Sequence, residues 1–125
     1  MQFRSRRLAC LVLMLVGVLA RGAEAQEQTG TITGRATDSS GATLPGVTVS
    51  VTSPNLIGGA RTAITNEQGV YRMTLLPGGV YAVKFELTGF GTLNVEQVDL
   101  NAGATMTING TGINRGRANQ VFLVE

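Results

Sequence analysis

From Gly30 onward apolar and polar residues alternate in short runs cut by glycine, proline and asparagine, which is the two-residue rhythm of half-buried strands. In Val47-Thr48-Val49-Ser50-Val51-Thr52 three valines point one way and three hydroxyl residues the other. In Val80 to Thr88, Tyr81, Val83, Phe85 and Leu87 share an inward face and Ala82, Lys84, Glu86 and Thr88 an outward one, so this run predicts a central strand. Thr31 to Thr37 predicts a first strand ending at Asp38-Ser39-Ser40-Gly41, a turn in which Asp and Ser can bond nearby amides and Gly can take a positive φ. Arg61 to Thr65 and Val70 to Leu75 flank Asn66-Glu67-Gln68-Gly69, a pattern that predicts a hairpin. Gly89-Phe90-Gly91 predicts a tight reversal with Phe90 folded over the end of the core. Two more strands are expected near Leu93 to Leu100 and Ala104 to Asn109, then a polar loop from Gly110 to Gln120 and an edge strand at Val121 to Val124. No segment has a helical period. The pattern as a whole predicts an all-β fold, a small antiparallel β-sandwich of about seven strands with Ig-like architecture.

The first 25 residues follow different rules. Arg4, Arg6 and Arg7 precede an apolar run from Leu8 to Ala20, broken only by Gly17, and Ala23-Glu24-Ala25 supplies a small-x-small cleavage pattern. This is a signal peptide with cleavage expected between Ala25 and Gln26. The run is too short for a membrane anchor, which needs about 20 apolar residues. A lipidation signal is a poor fit, because Cys10 sits at the start of the run instead of after it. The expected organisation is therefore a signal peptide over 1–25, a sandwich domain over 26–112, and a flexible tail over 113–125 with room for an edge strand.

Removing the leader changes the charge. Arg35, Arg61, Arg72, Lys84, Arg115 and Arg117 remain against seven acidic residues, a net charge of −1. The mature chain has no basic field for a phosphate backbone, which excludes nucleic-acid binding. The single cysteine leaves with the signal and the chain has no histidine, so disulfides, thiolate nucleophiles and Cys or His metal sites are excluded as well.

The order of motifs is more specific than the composition. Gly30 to Asp38 (GTITGRATD), Leu44 to Val49 (LPGVTV), Thr65 to Tyr71 (TNEQGVY), Leu76 to Tyr81 (LPGGVY) and Phe85 to Gly91 (FELTGFG) together resemble the carboxypeptidase regulatory-like domain, over roughly residues 28–110. The pattern is most similar to the copy at the N-terminus of bacterial TonB-dependent outer-membrane receptors, which sits in the periplasm ahead of a plug and a β-barrel. The resemblance implies a prealbumin-like or carbohydrate-binding-like sandwich without catalysis of its own. It also implies location in the periplasm, outer membrane or cell surface of a Gram-negative-type bacterium, with envelope proteins as partners. After Ile108 the plug and barrel do not follow, which leads us to expect a stand-alone relative or a fragment of a receptor. A transmembrane barrel needs at least about eight strands with aromatic girdles, and Tyr71, Tyr81, Phe85, Phe90 and Phe122 cannot supply them.

Reactive groups are sparse. Asp38 and Glu67 fall in turns, Glu86 faces outward beside Lys84, and Glu96 and Asp99 lie on a strand where Asp99 alternates with inward Val98 and Leu100. Asp38-Ser39-Ser40-Gly41 lacks the dense carboxylates of a calcium loop. Ser39, Ser40, Ser50 and Ser53 have no histidine to activate them, and Lys84 on an exposed face is a poor substitute. Gly58-Gly59 and Gly78-Gly79 open no helix and are not phosphate loops. No catalytic, cofactor-binding or metal residue is assigned, and no cofactor is expected. The alternative function is a carbohydrate-binding module, which rests on fold analogy alone. There is no tryptophan, and Tyr81 and Phe85 point inward, so Tyr71 and Phe90 are the only candidates for stacking on a sugar. Core packing is the ordinary explanation for both.

Overall fold

The structure is a computed structural model that describes residues 28–116 and 120–124. The leader and the cleavage site at Ala25 and Gln26 lie outside the described residues.

Alternation in the sequence becomes strands in the order β1 Gly30–Asp38, β2 Thr48–Thr52, β3 Ala60–Ile64, β4 Val70–Leu76, β5 Gly79–Glu86, β6 Leu93–Leu100, β7 Thr105–Thr107, β8 Gly110–Ile113 and β9 Gln120–Leu123. They form two facing sheets. In one, β1 lies between β4 on one side and β7 and β8 on the other; the second runs β3-β2-β5-β6-β9. Val47, Val49 and Val51 are wholly buried, as the alternation of valine and hydroxyl residues requires. β5 is central, flanked by β2 and β6, and sends Tyr81, Val83 and Phe85 inward. Each such apolar side chain contributes about 1.5–3 kcal/mol by leaving water.

The all-β sandwich is as expected, but its wiring differs from the sequence reading in three respects. First, among the described residues there are nine strands, because the segment after Leu100 divides into short β7 and β8 around Ile108 and Asn109. Secondly, β1 pairs in parallel with β7 and β8, and β6 pairs in parallel with β9, so the sandwich is not purely antiparallel. Gly110–Ile113 is thus a strand and not the start of a loop, and Ile113 is buried in the core.

The third difference concerns the expected hairpin. The Asn66–Gly69 turn forms, with Asn66 Oδ1 accepting from the Gln68 and Val70 amides and Gly69 at φ 71°. Yet its two strands are not partners: β3 pairs with β2 and β4 pairs with β1, in opposite sheets. Buried Thr65 explains the divergence. Its hydroxyl donates to the Leu44 carbonyl at 2.7 Å and accepts from the Val47 amide at 2.9 Å. That clamp ties the end of β3 to the corner leading into β2, while Tyr71 and Met73 carry β4 across to face the core from the other sheet.

The sheet built on β1 is tied together around Ile108. Its amide donates to the Thr33 carbonyl at 2.8 Å, and its own carbonyl accepts from the Tyr71 hydroxyl at 2.7 Å. Here the chain passes so close to β1 that a Cβ on Gly34 would stand 1.9 Å from the Ile108 oxygen. The Tyr71 ring meets Phe85 edge to face, with centroids 5.6 Å apart and planes at 79°.

Burial pushes the Tyr71 phenol well above its ordinary value of 10.0. The neutral form is therefore favoured in the folded state, and that stabilisation is complete below the unfolded tyrosine range near pH 10 and is lost as pH rises above it. Tyr71→Phe is expected to cost about 1–3 kcal/mol at pH 7 by leaving the Ile108 carbonyl without its donor. The gap between parent and variant should narrow above pH 10. Urea unfolding at pH 7 and at alkaline pH measures both; a gap that widens with pH contradicts the assignment.

Candidate functional site

Tyr71 and Phe90, the two candidate stacking residues, occupy different environments. Tyr71 is 2% exposed and its hydroxyl is engaged, so its ring is part of the core. Phe90 is half-buried against that core at the opposite end of the sandwich from Leu76. Its amide donates to the Leu87 carbonyl at 2.9 Å, and its backbone bridges to Arg115. The Arg115 guanidinium lies over the ring, 5.2 Å from its centroid, as in a cation–π contact. The Tyr71 ring is closed to a sugar, and Arg115 covers one face of Phe90.

The carboxylates do not converge. Asp38 closes its turn: Oδ1 accepts from the Ser40 hydroxyl at 2.7 Å and from the Ser40 and Ala42 amides. The Ser40 hydrogen bond, aided by those amides and opposed by desolvation, holds the Asp38 carboxyl below its ordinary 3.8. Glu86 pairs with Lys84 at 3.1 Å on the outer face of β5. Glu67, Glu96 and Asp99 are exposed on a turn and on β6. Among the described residues no three metal-ligating side chains cluster. Of the serines, Ser53 is buried and accepts from the Asn55 amide, while Ser39 and Ser40 are exposed in the Asp38 turn.

A different surface brings polar groups together. On the outer face of β1, Thr33, Arg35 and Thr37 follow one another at alternate positions, and Thr107, Asn109 and Thr111 run beside them from β7 into β8. They line an open groove of about 350 Å³, with Val70 on the β4 side and Gly34 beneath. Asn109 is oriented by its Oδ1, which accepts from the Arg35 amide at 2.9 Å and so leaves the side-chain NH₂ as a donor. The Thr33 hydroxyl donates to the Tyr71 carbonyl at 2.8 Å, which fixes its position and leaves its oxygen as an acceptor. Among the described residues no carboxylate lines the groove. Arg72 faces the same side, since it is the register partner of Thr33 across β4.

The sequence signal for this groove was the outward half of the alternation: hydroxyls at 31, 33, 37, 105, 107 and 111, with Arg35 and Asn109 among them. Reading each strand separately assigns those positions to solvent. Only the parallel pairing of β1 with β7 and β8 sets the two runs side by side.

Residues 31–111, well over half of the chain, match the sequence profile of the carboxypeptidase regulatory-like domain. The chain belongs to this family. Among relatives of this regulatory-like domain, the TonB-dependent transporter Oar of Myxococcus xanthus is 35% identical over 99 residues, which are 78% of this chain and 9% of the transporter. The chain thus spans less than a tenth of that relative's length. Among solved structures, chlorocatechol 1,2-dioxygenase from Pseudomonas putida superposes with a TM-score of 0.56 at 14% identity, over 74% of this chain and 63% of the enzyme. A proposed carbohydrate binding protein from Bacteroides uniformis superposes with a TM-score of 0.53 at 19% identity, over 67% of this chain and 40% of that protein. At these identities the likeness is one of fold alone.

Proposed function

We propose that this regulatory-like domain is a non-catalytic contact module of the bacterial envelope, exported by its leader and acting beside an outer-membrane receptor of the TonB-dependent kind. The observation that carries the reading is the 35% identity to a TonB-dependent transporter across 78% of the chain. Two features support it. Among the described residues the ionisable side chains are spread over turns and outer faces, and the groove on β1 sets no carboxylate beside its guanidinium. Among the described residues no helix is long and apolar enough to cross a membrane. In this reading residues 1–25 are the signal peptide, cleaved between Ala25 and Gln26. The sandwich follows from residue 26, with Ile113 in its core and β9 on its edge.

Expression of the tagged full chain in its own host tests both parts. The protein should fractionate with the envelope and begin at Gln26. Photo-crosslinking groups placed singly at exposed Thr62, Thr74 and Thr107 should capture an outer-membrane receptor. A cytoplasmic protein that keeps its leader overturns export, and crosslinks to no envelope protein from any of these positions overturn the contact role.

A further inference from the structure

We infer that the groove on the outer face of β1 is a binding site for an acidic oligosaccharide, a chain of uronate-type sugars held by Arg35 and by hydrogen bonds to Asn109 and the flanking threonines. The inference is independent of the receptor reading, because it rests on the groove alone.

The chemistry of the lining comes first. The groove presents a guanidinium, the Asn109 side-chain NH₂ and the hydroxyls of Thr37, Thr107 and Thr111, with no carboxylate among them. Among the described residues the one ion pair is Lys84–Glu86 on the other sheet, so no described acidic side chain pairs with Arg35 or Arg72. Arg72 stands across from Thr33, diagonally next to Arg35 on the same face, a spacing of about 7–8 Å between such strand neighbours. Two guanidiniums carried on neighbouring strands of one face suit carboxylates spaced along a chain, each engaged by a two-pronged hydrogen bond. Sugar hydroxyls donate and accept at once, which matches threonine hydroxyls that do the same.

The backbone separates a glycan from a peptide. An acidic peptide would bind this family of folds most favourably by adding a strand to a sheet edge. β1 has no edge, since β4 pairs on one side and β7 and β8 on the other. A ligand over β1 is recognised by side chains alone. A nucleic acid is disfavoured by the scarcity of cations, two arginines on this face within a mature chain of net charge −1. The volume of about 350 Å³ is at the small end for ligand sites, so it would hold one part of an oligomer whose remainder lies along Thr31 and Thr105. The mode differs from aromatic stacking, since the Tyr71 ring is buried and Phe90 lies outside the groove.

Isothermal titration of the purified protein with tetrasaccharides of galacturonate, mannuronate and hyaluronate provides the test. Methyl-esterified galacturonate serves as the neutral twin and a tetraglutamate peptide as the charged non-sugar. Saturable binding of at least one acidic glycan is expected, at least tenfold tighter than its neutral twin or the peptide. Arg35→Gln should weaken it tenfold or more, and Asn109→Ala measurably, with melting temperatures close to the parent's. Lys84→Gln, on the opposite sheet, should leave it unchanged. Absence of binding to all three glycans overturns the assignment. So does equal binding of the peptide, or an affinity that survives Arg35→Gln.

Discussion

Replacing Gly34 by alanine is expected to destabilise the domain by about 3–4 kcal/mol, at the upper end of what an added methyl costs in a packed interior. The added carbon would lie 1.9 Å from the Ile108 carbonyl oxygen, 2.7 Å from its carbon and 3.0 Å from the Tyr71 ring. Two of those atoms are backbone, so no side-chain rotation relieves the clash; the crossing between β7 and β8 must lift. Lifting it strains the Ile108 amide bond to Thr33 and the Tyr71 hydroxyl bond to Ile108 together, since both end on the same residue. For a domain whose total stability is typically about 5–15 kcal/mol, the loss is a large fraction. Thermal unfolding should shift down by roughly 12–25 °C. A shift of about 2 °C or less would show that the crossing gives way easily and that Ile108 is not the lock between β1 and the groove wall.

The second large effect is expected at Phe85. The side chain is wholly buried on the central strand, meets Tyr71 edge to face, and carries the backbone of Gly110 against its ring. Phe85→Ala removes the ring and leaves a cavity bounded by two sheets that are each held by their own ladders, so collapse is limited. The expected cost is about 3–5 kcal/mol. Gly110 supplies a sharper version of the same test, because a Cβ there would lie 2.8 Å from the Phe85 ring. Gly110→Ala alone should cost about 1–3 kcal/mol. Combined with Phe85→Leu, which withdraws ring atoms from that spot, the double variant should be more stable than the sum of the single losses predicts, by about 0.5–3 kcal/mol. Denaturant titration of the four proteins closes the cycle, and strict additivity would mean that the two residues do not press on each other.

Much of this architecture was legible because local chemistry and tertiary role agree. The valines of 47, 49 and 51, the inward face of β5 and the Asp38 turn each declare themselves within a few residues. The Asn66–Gly69 turn shows where such reading stops. Its turn chemistry is that of a hairpin, but the partners of its strands are chosen by Thr65, which clamps to Leu44 and Val47 some twenty positions earlier. The segment 110–113 hides its strand for a related reason: its glycines carry little strand signal, and its pairing with β1 spans most of the domain. The groove lies at the same blind spot. Threonines at alternate positions look like ordinary solvent-facing residues until parallel pairing sets two such rows together.

The placement of β1 also bears on how the chain is made. The earliest strand finds its neighbours at β4, β7 and β8, and the Arg35–Asn109 contact joins positions 74 residues apart. Pairings of such long range are slow to close. A nascent polypeptide emerging from the ribosome cannot complete this sheet until residue 113 is available. Until then one flank of β1 lacks its partners, and the strands between 105 and 113 are the latch that closes it.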